Sequence, residues 1–133
     1  MERSECPLTS EMITAHAAHM ANEKLATDVE VLDLRDLTVM TEYFVIASAE
    51  TEVQVRAITQ AIVDSLEENG VICKRREGLQ DARWVLLDYG DAVIHVFRQQ
   101  ERELYDLERL WGDAPRLVAD VNGTKLRLVA VRE

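Results

Sequence analysis

WVLLDYGDAVIHVF, residues 84–97, sets two runs of strand-forming side chains on either side of Tyr89-Gly90 and reads as an antiparallel hairpin. A turn at Tyr89-Gly90 places Leu87 opposite Ala92, Leu86 opposite Val93, Val85 opposite Ile94 and Trp84 opposite His95, and opposite residues share a face. One face is then Val85, Leu87, Ala92, Ile94 and Val96, wholly apolar and suited to burial under a helix. The other carries Trp84, Leu86, Asp88, Asp91, Val93, His95 and Phe97. Such a mixture is uncommon on a solvated sheet. It fits a protein interface, with aromatic anchors inside a polar rim, and equally a second core layer covered by the chain itself.

Working outward, Val71 to Arg76 predicts a further strand before the hairpin. From Thr51 to Asn69, Val55, Ile58, Ile62 and Leu66 recur at helical spacing, with Asp64, Glu67 and Glu68 outside and Asn69-Gly70 as a stop. Tyr43 to Ser48 is continuously apolar, as expected of a central strand, and Val29 to Leu34 is a strand before it. Thr9 or Ser10 can cap a first helix carrying Met12, Ile13, Ala17, Met20, Ala21 and Leu25. After the hairpin, Gln99 to Leu110 predicts a helix with Leu104, Leu107 and Trp111 inward. Val118 to Val121 and Thr124 to Val131 flank Asn122-Gly123, a strong signal for a type I′ hairpin. The expectation is an α/β fold of α+β type: a mixed five-stranded sheet with helices mainly on one face, plus a C-terminal hairpin. The predicted organisation is a leader (1–9), one domain (10–116) and an extension (117–133).

A chain of 133 residues is enough for one core. Its net charge of −10 lies entirely in residues 1–73, which hold four basic and fourteen acidic side chains; residues 74–133 hold eleven of each. An acidic domain of pI about 4.7 is a poor ligand for bare nucleic acid and a better one for a basic protein. Lys74-Arg75-Arg76, the one basic run, suits a solvated strand edge. Cys6 and Cys73 lack metal-ligand spacing and read as reduced thiols. Without an apolar run of about 18 residues or a signal-like start, the expectation is a cytoplasmic protein with no membrane partner.

Four strings, EYFVIAS (42–48), EGL (77–79), WVLLDYGDAVIHVF and YDLERLWGDAP (105–115), occur in order and at ordinary spacing. Together they resemble the ribosomal silencing factor family, also called RsfS or Iojap-like. The resemblance implies a nucleotidyltransferase-like fold without catalysis, and a homodimer. It implies binding to the fourteenth protein of the large ribosomal subunit, which would block joining of the small subunit and repress translation under nutrient limitation. The candidate partner-binding residues are Trp84, Leu86, Asp88, Tyr89 and His95, with Glu77 and Asp91 at the rim and Trp84 and Tyr89 as anchors. Three features depart from the family pattern: Glu42 in place of Asp, Ala49-Glu50-Thr51 before the main helix, and the terminal hairpin.

The fold analogy raises one alternative, a metal-dependent nucleotide-binding or nucleotidyltransferase-like enzyme. Asp28-Val29-Glu30 has the alternation that would bring two carboxylates to one strand face, yet no Gly-Ser turn precedes it and the five glycines are scattered. His16, His19 and Glu23 could face one way on the first helix, where solvated polar side chains are the commoner explanation. YDLERLWGDAP reads chiefly as packing, through Tyr105, Leu107 and Trp111, with Glu108 and Arg109 exposed beside them. The sequence therefore predicts no catalytic, cofactor or metal residues.

Overall fold

The computed structural model describes residues 8–122 and 125–131. Cys6, most of the expected leader, and Gly123 of the expected terminal turn lie outside them. Helix α1 (Ser10–Glu23) is capped by Thr9, whose hydroxyl accepts from the Met12 N–H at 3.1 Å. Strands β1 (Thr27–Asp33) and β2 (Tyr43–Ala49) follow, then α2 (Glu52–Glu68). Thr51 and Gln54 close a capping box at the start of α2, so the unusual turn before it leaves the helix well anchored.

The chain continues through β3 (Arg75–Glu77), β4 (Trp84–Asp88), β5 (Ala92–Arg98), α3 (Gln99–Tyr105), α4 (Leu107–Leu110), β6 (Arg116–Asn122) and β7 (Lys125–Ala130). All seven strands form one sheet, ordered β3-β4-β5-β2-β1-β6-β7, in which β2 and β5 run parallel and the other described neighbours antiparallel. The expectation of five strands is thus corrected to seven. The terminal hairpin joins the sheet by pairing β6 with the free edge of β1, at Val31 with Leu117 and Leu32 with Arg116.

Helices α1 and α2 cover one face. Val55, Ile58, Ile62 and Leu66 of α2 and Ile13, Ala17 and Ala21 of α1 pack on Val31, Val45, Val85, Leu87, Ile94 and Val96. A smaller core lies on the opposite face, where Leu32, Leu34, Ile46, Phe97 and Ala114 are buried beneath Leu107 and Trp111. The sheet is therefore covered by two long helices on one side and only in part on the other.

Two elements differ from their sequence reading. The strand expected at Val71 to Arg76 is only Arg75–Glu77, because Val71 instead folds into the main core beside the end of α2. The last helix breaks at Asp106, which has a left-handed φ of 48°. Leu104 points outward as a result, 74% exposed, while Leu107 and Trp111 keep the inward position expected of them. Arg102 fastens this broken helix down: it is buried, and its guanidinium donates to Glu108 of α4 at 2.7 Å and to the Thr27 carbonyl and Ser48 hydroxyl at 3.0 Å.

Candidate functional site

The hairpin keeps the expected faces with a different register. Trp84 lies opposite Phe97, Val85 opposite Val96, Leu86 opposite His95, Leu87 opposite Ile94 and Asp88 opposite Val93. The turn is Gly90-Asp91: Tyr89 N–H donates to the Ala92 carbonyl at 2.9 Å, and Gly90 takes φ 88°. Glycine belongs at the first position of such a turn because only that residue must enter the positive-φ region. The pairing has slipped by two residues, and two is the period of a strand, so Val85, Leu87, Ala92, Ile94 and Val96 remain together in the core.

The slip matters for Tyr89. Just past the end of β4, leading into the turn, it joins the face of Val85 and Leu87, is 6% exposed and packs in the core under α1 and α2. Burial, then the neighbouring Cys73, push its hydroxyl pKa up. It therefore stands across the sheet from Trp84, Leu86, Asp88 and His95.

The face opposite the long helices divides into two. At one end Trp84 stacks on Phe97 with ring centroids 4.9 Å apart and meets Tyr105 at 4.8 Å, above the smaller core. At the other end the cover stops, leaving a groove of about 510 Å³ floored by Phe44, Leu86, Val93 and His95 and walled by Trp111, Thr38 and Met40. The covered end is thus the second core layer that the sequence allowed, and the other end is left open. The loop beside the groove presents Val39 and Met40 almost fully to solvent, at 101% and 85%. It is tied to the hairpin turn by Thr41 donating to the Gly90 carbonyl at 3.2 Å and Glu42 N–H to the Asp91 carbonyl at 2.9 Å.

His95 is the polar element of the floor. It is 4% exposed, and burial pushes its pKa down to about 4, so the ring is neutral at physiological pH. Trp84 Nε1–H donates to its Nδ1 at 3.1 Å, which requires the ring proton to sit on Nε2. That Nε2 is buried without a hydrogen-bond partner among the described residues. The Phe44 ring meets the imidazole edge-on at 4.5 Å.

The rim is charged. Asp88 accepts from the Gly90 N–H at 2.8 Å and lies 3.8 Å from Arg75, which also pairs with the exposed Glu77 at 3.2 Å. Lys74 borders the groove as well, and Asp91 is exposed on the turn. Of the seven candidate residues, Leu86, Asp88 and His95 line the groove, Trp84 holds His95 from beside it, Glu77 and Asp91 are peripheral, and Tyr89 is on the other face. Phe44 and Met40 were not among the candidates, because only the parallel pairing of β2 with β5 brings them beside the hairpin. The apolar Val39-Met40 pair within a polar loop was the available signal.

The residues of the enzymatic alternative are placed differently. β1 bulges between Thr27 and Glu30, Asp28 takes a left-handed φ of 47°, and Glu30 forms an ion pair with Arg116. Burial, then His19, lower the His16 pKa. Among the described residues no group of three or more His, Cys, Asp and Glu side chains is gathered as a metal site.

Comparison with known proteins adds a second line of evidence. The family described as "Ribosomal silencing factor during starvation" matches residues 7–130, a span that includes the terminal hairpin. The chain is 46% identical over 99 residues to the ribosomal silencing factor RsfS of Bacillus subtilis, covering 74% of this chain and 84% of the relative. It is 41% identical over 99 residues to that of Halalkalibacterium halodurans, covering 74% and 85%. A crystal structure of a Chromobacterium violaceum protein superposes with a TM-score of 0.76 at 31% identity, covering 79% of this chain and 88% of the other.

Proposed function

The chain belongs to the ribosomal silencing factor family, and from that membership we propose that it binds the large ribosomal subunit through that subunit's fourteenth protein and keeps the small subunit from joining. The family is named for a regulatory role, and the action needs occupancy alone. A ligand that binds the free large subunit and is excluded from the joined ribosome shifts the joining equilibrium by mass action. Translation falls as the occupied fraction rises.

The observation that carries the reading is the half-covered aromatic face. A sheet surface with Phe44, Leu86, Val93 and Trp111 open beside Met40 suits an apolar anchor from a protein partner. The net charge of −10 favours approach to a basic ribosomal protein and disfavours bare ribosomal RNA. We assign the contact to the groove, with Leu86, His95 and Trp111 central, Trp84 supporting and Asp88, Glu77 and Asp91 at the edge. The free protein is assigned as a cytoplasmic homodimer, which light scattering tests by mass.

The decisive experiment is co-sedimentation with isolated large subunits, followed by addition of small subunits. Binding with loss of joined ribosomes is the expected result; no binding at micromolar protein sinks the proposal. Leu86→Asp puts an unpaired carboxylate on the groove floor and is expected to abolish co-sedimentation while far-UV circular dichroism is retained. Undiminished binding by the folded variant places the contact elsewhere on the surface.

A further inference from the structure

Resting on that reading, we propose that the groove captures a carbonyl oxygen of the ribosomal partner on the Nε2–H of His95. Three observations converge. His95 is nine-tenths buried and lines the groove. Its Nδ1 is committed to Trp84 Nε1–H at 3.1 Å, so the free proton is on Nε2. That nitrogen has no hydrogen-bond partner among the described residues.

His95 is part of the groove floor, and its Nε2, at the end of the ring remote from Cβ, is closed to solvent in the free protein, so a partner's oxygen reaches it only by displacing a covering side chain. A buried N–H without an acceptor is unfavourable by an amount comparable to a lost hydrogen bond, and such an orphan is uncommon in a folded protein. The Phe44 ring, edge-on at 4.5 Å, provides only a weak substitute. A partner's oxygen would satisfy the donor.

The surroundings select the acceptor class. The ring is neutral, and its neighbours Phe44, Leu86, Val93 and Trp111 are apolar, so a carboxylate would be desolvated there without a cation at its own depth. The basic side chains Lys74 and Arg75 are exposed at the rim, and Arg75 is already engaged with Asp88 and Glu77. A carbonyl of the backbone or of an Asn or Gln side chain loses less hydration and accepts the same bond. The occupant is therefore an apolar segment of the ribosomal partner that presents one uncharged carbonyl.

Two substitutions separate the two ring nitrogens. Asn at position 95 reaches the place of Nδ1 and can still accept from Trp84, but it offers nothing at Nε2. Gln reaches the place of Nε2 and can donate there, while losing the Trp84 contact. Affinity for isolated large subunits is measured for the unmutated chain, His95→Asn and His95→Gln, with melting curves to confirm folding.

The expected pattern is binding about tenfold weaker for His95→Asn and near-normal for His95→Gln. If both folded variants bind like the unmutated chain, the Nε2–H takes no part and the inference is overturned while the ribosomal reading survives. Equal weakening of both folded variants assigns the role to ring packing and also overturns it. If the unmutated chain itself does not bind, the ribosomal reading has failed and the inference falls with it. Where one variant does not fold, the other decides: near-normal binding by a folded His95→Gln or about tenfold weaker binding by a folded His95→Asn supports the inference, and the opposite result for either overturns it.

Discussion

His95 couples the site to the stability of the molecule. Its pKa is about 4 in the folded protein, against an ordinary 6.5, because burial penalises the charged ring. Between those values the unfolded chain binds a proton that the folded chain does not, so stability falls as pH drops through the window. The full loss is on the order of 3 kcal/mol by pH 4, since each tenfold change in proton affinity is worth about 1.4 kcal/mol. His16, also lowered by burial, acts in the same direction. Comparison with a variant isolates the His95 part: urea midpoints of the unmutated chain should fall more steeply from pH 6.5 to 4.5 than those of His95→Asn. Parallel slopes would mean that the ring charges without leaving its site. Tyr89 is the second instructive residue, since its place depended on one choice of turn. Placed inside the turn its side chain has no assigned face, and placed before the turn, paired with Ala92, it goes to the core.

At the scale of elements, local signals decide most of the outcome. The capping box of Thr51 and Gln54 anchors the start of α2, and Thr51→Ala should lower stability by about 1 kcal/mol in thermal or denaturant melts while leaving subunit binding unchanged. Gly78 in the EGL string has a sharper requirement. Its φ is 85°, and a Cβ there would sit 2.0 Å from the Trp84 carbonyl oxygen, so Gly78→Ala must push β4 away from its approach. We expect that variant to cost about 2 kcal/mol or more and to weaken subunit binding as well, because Trp84 and Leu86 shift with the strand. A melt indistinguishable from the unmutated chain would show that the loop relaxes freely. Both α1 and α2 were legible from the period of their apolar residues and their caps, save that Leu25 lies past the end of α1 with a left-handed φ of 62° and is exposed. The two faces of the hairpin were legible from alternation, which survives a register slip of two. The break at Asp106 was not legible, because LYDLERL keeps helical spacing across it and only the tertiary bonds of Arg102 to Thr27, Ser48 and Glu108 mark where the chain turns. The groove was half legible: Leu86 and His95 lie on one strand pair, whereas Phe44 and Met40 arrive through a parallel pairing that no local pattern announces.

On the scale of the whole molecule, the terminal hairpin is what makes seven strands of five. It covers the outer edge of β1, and Leu117, Ala119 and Leu128 pack against the core that lies under α1 and α2. A chain ending at Pro115 would keep every residue of the groove floor and walls, since these belong to β2, β4, β5, the loop before β2 and Trp111. It would lose the apolar contacts of two partly buried leucines, on the order of 2 kcal/mol, and leave the outer edge of β1 unpaired at Val31 and Leu32. Two consequences follow for that truncated chain: a lower melting temperature, and concentration-dependent association as the bared β1 edge pairs with another copy. Subunit binding measured below the association threshold should be preserved, because the groove and the hairpin lie on opposite sides of β1 in the strand order. Melting curves and light scattering across a concentration series read the first two outcomes, and co-sedimentation reads the third. An unchanged melting temperature would make the hairpin a passive appendage, and loss of binding by a folded monomeric truncation would extend the partner surface to β6 and β7.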